Sequence, residues 1–210
     1  YRTGDFMKKT YFMKHFDQTV QFLMYSFLME ILSLMLQLLI FFMNKLILGA
    51  KISSLVNLVN QGISYLSIGS SLFKNIAMFL FILTGLIVMR ELYFRLRYVS
   101  LKNLVLSIRG TTKLRRFLRH IEFLKDSEGK KSKEDIIISN YNKVIRKIVL
   151  DVDNEELLLY IKLPKEHQAQ KMLKDMVSEI KEEISNAYPE YLISIFERQG
   201  NSLWLKGTRK

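Results

Sequence analysis

Two nearly uncharged stretches constrain this chain more than anything else in it. Residues 19–43 (TVQFLMYSFLMEILSLMLQLLIFFM) hold one acid, Glu30, and no basic residue. As a helix rising about 1.5 Å per residue they reach roughly 37 Å, enough to cross a hydrocarbon core of about 30 Å with some tilt. A signal peptide would need a shorter apolar core and a small-residue cleavage site, so the segment reads as a retained helix. The second stretch, 75–89 (NIAMFLFILTGLIVM), is too short alone. Extending it over 72–94 gives the roughly 20 residues a span needs, with Lys74 and Arg90 reaching the two interfaces.

Between the spans, 44–71 is rich in Ser, Asn and Gly, and Leu55, Leu58, Val59 and Ile63 recur at helical spacing. An interfacial helix and an irregular loop are both open for this region. Basic residues set the orientation. Residues 90–119 carry Arg90, Arg95, Arg97, Lys102, Arg109, Lys113, Arg115, Arg116 and Arg119 against one acid, Glu91. The start of the chain adds Arg2, Lys8, Lys9 and Lys14, whereas 44–75 holds only three lysines. The positive-inside rule then predicts a multi-pass helical hairpin in the cell membrane with both termini cytoplasmic. The lack of Cys fits a reducing compartment.

Glu30 has two readings. A carboxyl group inside an apolar span marks an ion or proton path in transporters. It also serves helix–helix assembly, here with Ser33, Gln37 or a second subunit. No other charged residue lies within the apolar cores 19–43 and 75–89, so assembly through Glu30 and Gln37 is the stronger reading.

The rest of the chain is soluble in character. Residues 91–124 read as helix, interrupted at Gly110, with Thr111 or Thr112 capping a second piece from near Lys113. The stretch 125–142 reads as a loop. Ile148, Leu150 and Val152 then alternate with Val149, Asp151 and Asp153, and Leu157, Leu159, Ile161 and Leu163 alternate after a turn at 154–155. That is a hairpin, closed by Pro164. Residues 166–187 form an amphipathic helix with Leu173, Met176, Val177, Ile180 and Ile184 on one face. A third strand over 191–196, a Gly200–Asn201 turn and a fourth strand over 202–206 complete a ββαββ order. The predicted fold class is thus a membrane α-helical hairpin plus a small cytosolic α+β domain. Its parts are an N-terminus over 1–18, the hairpin over 19–94, basic helices and loop over 95–142, and the α+β domain over 143–210.

Catalytic chemistry is not visible. His15, His120 and His167 lie far apart without metal-ligand spacing. Gly129–Lys131 lacks the first glycine and the Ser/Thr of a phosphate loop. Asp151, Asp153, Glu155 and Glu156 lack the glycine and terminal Glu of a calcium loop and read as a solvated turn. No enzyme, metal or cofactor is expected. The charged cluster Arg95, Arg97, Arg109, Lys113, Arg115, Arg116 and Arg119 suits anionic headgroups first and DNA phosphates second, the latter without sequence preference.

The order of parts resembles a known family. Two spans precede a basic helix (YFRLRYVSLKNLV), a KDSEGK loop, the run IRKIVLDVDNEELLLYIKLPKEHQAQKMLKDMVSEIKEEI and a strand after YPEYLIS. This is similar to the N-terminal membrane-anchor region of FtsK/SpoIIIE-type coupling proteins (DNA translocases) of Gram-positive conjugative elements. The resemblance implies an accessory anchor for conjugative DNA translocation and type IV secretion, with membrane lipids, secretion-channel proteins and further copies of itself as partners. No Walker segment is present, so an ATPase would lie beyond Lys210, and the first residue, Tyr1, fits a piece of a longer chain. A stand-alone membrane-anchored interaction module of regulatory or immunity type is the alternative. A small channel or transporter is the third.

Overall fold

A computed structural model describes residues 7–47, 53–119 and 133–210. Helix α1 runs Tyr11–Ile47 and α2 runs Ser53–Tyr98, followed by α3 (Leu101–Phe117) and α4 (Lys133–Ile145). Strands β1 (Val149–Val152) and β2 (Glu156–Lys162) precede helices α5 (His167–Asp175) and α6 (Val177–Ala187). Strands β3 (Tyr191–Ile193), β4 (Glu197–Gln199) and β5 (Ser202–Arg209) complete the chain. Two compact units result. One comprises Asp17–Arg90, and the other combines the described residues 7–16 with those of Glu91–Lys210.

The first unit is a pair of apolar helices, and α1 and α2 are each long and apolar enough to cross a membrane. Their outward side chains include Phe27, Met35, Phe79 and Phe81, all largely exposed. The buried positions are small instead. Ser26 and Ser33 lie seven residues apart in α1, and Ser70, Ala77 and Thr84 recur at seven in α2. That repeat keeps one seam of each helix facing the other, and small residues let the backbones approach. Ser33 Oγ donates to the Ser70 carbonyl at 3.0 Å, and Ser70 Oγ returns a bond to the Ser33 carbonyl at 3.3 Å. Gly69 faces Leu36 and Gly62 faces Met43, the antiparallel register one heptad apart. The region 53–71, for which a separate interfacial helix or a loop was open, is the first part of α2 and unbroken. Its glycines cost helix propensity but sit where α1 side chains pack close.

In the second unit the sheet order is β1-β2-β5-β3, with β4 also on β5, all antiparallel. The expected β1–β2 hairpin is present, with Leu150 opposite Leu159 and Val152 opposite Leu157. The ββαββ order is not what forms. There are five strands, because one extra residue between Ile193, opposite Gly207, and Glu197, opposite Trp204, breaks the register on β5 and divides the third strand into β3 and β4. The single amphipathic helix is two, α5 and α6, broken at Met176. Leu173, Ile180 and Ile184 of its expected apolar face are buried, while Met176 and Val177 at the break are half-buried. Residues 133–142, read as loop, belong to α4, whose Tyr141 and Ile145 enter the core; 125–132 and His120 lie outside the described residues.

Both faces of the sheet are covered. Leu150, Leu157, Leu159 and Ile161 pack against Tyr141, Leu173, Ile180 and Ile184 on one side. On the other, Val149 and Trp204 meet Phe12, Met13 and Phe16 from the first turns of α1. Residues 10–16, part of the segment 1–18 read as a separate cytosolic N-terminus, are thus a layer of this unit. Likewise 91–94, read as the end of the hairpin, and 95–119, from the basic region read over 95–142, build into it.

Burial pushes the Tyr141 phenol up to about 12, with the Glu179 charge adding to the effect. Burial also raises Tyr188 and Tyr191. A phenol with a higher folded than unfolded pKa leaves stability intact below pH 10 and removes it as pH rises from 10 through about 12. We expect the midpoint of urea unfolding, followed by Trp204 fluorescence, to fall steeply over that window. Tyr141→Phe should flatten the fall; an unchanged slope would show that Tyr141 is not held neutral by the core.

Candidate functional site

The most unusual chemistry in the second unit lies along β1. This strand is at the sheet's edge, where unpaired backbone groups invite pairing with other chains. Here α3 satisfies them with side chains. Thr111 Oγ1 donates to the Leu150 carbonyl at 3.1 Å and accepts from the Leu150 N–H at 3.0 Å. Ser107 Oγ accepts from the Val152 N–H at 2.8 Å, and Arg115 Nε donates to the Ile148 carbonyl at 2.7 Å. Residues 107, 111 and 115 share one face of α3 because they are four apart, and their targets 152, 150 and 148 are two apart along the strand.

Gly110 makes the approach possible. A Cβ there would collide with Tyr188 Oη and come within 2.6 Å of Leu150 Cδ2. The expected interruption at Gly110 does not occur, because α3 passes through it unbroken. The real break is at Ser100, whose side chain accepts the Lys102 N–H as an N-cap.

Arg95 completes this edge from the end of α2. Its Nε meets Glu91 at 2.6 Å, its Nη2 meets Asp151 at 2.5 Å and its Nη1 donates to the Val152 carbonyl at 3.0 Å. Asp151 also accepts from Thr10 Oγ1 at 2.6 Å and Ser107 Oγ at 3.2 Å. Arg95 is 4% exposed and Asp151 7%. One charged node thus joins the start of α1, the end of α2, α3 and β1. Its ring neighbours are aromatic: Arg95 lies over Phe12 and Arg115 over Phe16.

The basic cluster read from the sequence therefore separates into two sets. Arg95 is a structural ion pair and not a surface contact for lipid or DNA, and Arg115 is half-buried on the β1 edge. Arg97, Arg109, Arg116 and Arg119 are exposed. Lys113 is exposed and paired with Glu183 at 2.7 Å. In the helical pair, Gln37 donates to Ser33 at 3.4 Å, beside the Ser33–Ser70 bonds, and half-buried Glu30 lies one turn away on the same face. The acidic turn is partly engaged, since Asp153 accepts its neighbour's N–H and Glu156 pairs with Lys206. Among the described residues no cluster of His, Asp or Glu is arranged to hold a metal. His15 stacks on Tyr11, and His167 begins α5.

A groove of about 510 Å³ lies between α5 and the β4–β5 hairpin. Leu163, Val177, Phe196 and Leu203 give it an apolar floor. The sequence alone did not reveal it, because its walls meet only through the sheet pairing. Compared with known proteins, the chain matches no family model, no curated protein and no solved structure.

The Arg95–Asp151 pair has a clear energetic signature. Removing one partner strands a buried charge, which normally costs about 3–5 kcal/mol. Arg95→Met and Asp151→Leu should each lower unfolding free energy by that order, while the double variant should lose less than the sum. Strict additivity in this double-mutant cycle would mean the two side chains do not act on one another.

Proposed function

We propose that this chain is a membrane anchor carrying a cytosolic docking domain, the accessory region of a conjugative DNA-translocation coupling protein. One observation carries the anchoring part. Residues 7–16 and 91–98, at the two outer ends of the apolar helices, are both components of the same α+β unit. A hairpin whose two ends enter one soluble domain returns to the side it left. That supports a two-span topology with both termini on one face, and the exposed Arg97, Arg109, Arg116 and Arg119 favour the cytoplasmic face. The translocase partner comes from the resemblance in order of parts, and in that reading DNA passes close to these arginines. The apolar groove on the domain favours the second reading, a membrane-anchored interaction module with another protein partner.

The chain contains no cysteine, so single replacements report cleanly. With Ser64→Cys or Ser178→Cys in intact cells, an impermeant thiol reagent should label position 64 and spare 178. Labelling at 178 but not at 64 would overturn the orientation. The DNA role is tested by replacing Arg109, Arg116 and Arg119 together with Gln. Insertion should be normal and DNA transfer reduced; undiminished transfer would leave these charges as topology signals.

A further inference from the structure

The groove beside α5 has a rim as informative as its floor. His167, Lys171 and Lys174 are spaced four and three apart, so they form one stripe along α5, opposite the buried Ala169 and Leu173. Arg198 of β4 faces this stripe from the other wall. No acidic side chain lines the groove, and among the described residues no ion pair reaches Lys171, Lys174 or Arg198. These charges differ from Arg95 of α2 and Arg115 of α3, which are spent on internal bonds. They flank apolar surface, which a purely electrostatic contact would not need.

The outer wall is also special. Strand β4 pairs only with β5, so its other side is open along the groove. This edge differs from β1, which α3 seals. An open edge, an apolar floor and a basic rim are the parts used to bind an extended peptide: backbone pairing gives affinity, and alternate side chains enter the groove.

We propose that this groove binds an acidic, extended segment of a partner protein, with an apolar side chain on the Leu163–Val177–Phe196–Leu203 floor and carboxylates at Lys171, Lys174 and Arg198. Charge complementarity selects the occupant. A basic or neutral peptide would leave the rim cations facing one another, whereas flanking acids neutralise them and steer the approach. The proposal rests on reading the α+β unit as a docking domain and holds whether or not the helices cross a membrane.

The test uses the full chain in detergent and a displayed library of random peptides about twelve residues long. Selected sequences should carry Asp or Glu on both sides of a Leu, Ile or Phe. The best of them, synthesised and labelled, should bind at least about tenfold more weakly to the Lys171→Glu/Lys174→Glu variant, and more weakly as salt rises. Lys171→Gln/Lys174→Gln serves as a milder pair, with the Trp204 melting curve as the check on folding. Neutral or basic selected sequences would overturn the proposal, as would binding indifferent to both pairs. It would also fall if charge reversal lowered binding to phosphatidylglycerol vesicles and left the peptide unaffected, since the stripe would then be a lipid surface. Failure of the labelling experiment on topology would leave a positive peptide result standing.

Discussion

The backbone of β1 is the constraint around which the soluble unit is organised. Its inner side pairs with β2, and its outer N–H and C=O groups would be orphaned in a dry setting, at about 1–3 kcal/mol each. Helix α3 resolves this by acting as a surrogate strand. Four residues of helix advance about 6.0 Å and two residues of strand about 6.6 Å, so side chains at 107, 111 and 115 stay in step with 152, 150 and 148. Short hydroxyls suit this distance, and a glycine between them removes the Cβ that would hold the helix away. The arrangement also closes the edge to pairing with other chains.

The same strand explains the buried charges. Asp151 alternates onto the face opposite Leu150 and Val152, where solvent would ordinarily be. Here the first turns of α1 cover that face, so the carboxylate is enclosed and requires Arg95, Thr10 and Ser107 as partners. These partners come from segments more than forty residues away. The turns at 10–16 and 91–95 therefore complete the domain's second layer and its central ion pair.

This accounts for which features the sequence disclosed. The apolar stretches, the β1–β2 hairpin, the Gly200–Asn201 turn and the buried Leu173, Ile180 and Ile184 are local patterns of period 3.6 or 2, and a pattern is visible within its own segment. Gly110 was misleading for the same reason. Local propensity marks it as a helix break, whereas its value lies in a contact with Leu150 and Tyr188. Arg95 looked like its basic neighbours because burial is set by β1, fifty-six residues away. The groove was hidden because α5 and β4 become neighbours only through the sheet. The helix over 133–145 was masked by its charged start, although Ile137, Tyr141 and Val144 carry the spacing of a buried face.

Helix α3 takes the place of a strand beside β1, and amide hydrogen exchange in the full chain measures that directly. The Leu150 and Val152 amides, which face away from β2, should exchange as slowly as those of Val149 and Asp151, which face it. Thr111→Val keeps the shape of the side chain and removes the hydroxyl, so exchange at Leu150 should accelerate while Val152, held by Ser107, stays slow. Rapid exchange at Leu150 and Val152 in the parent chain, or no change at Leu150 in the variant, would contradict the sealing of this edge by α3.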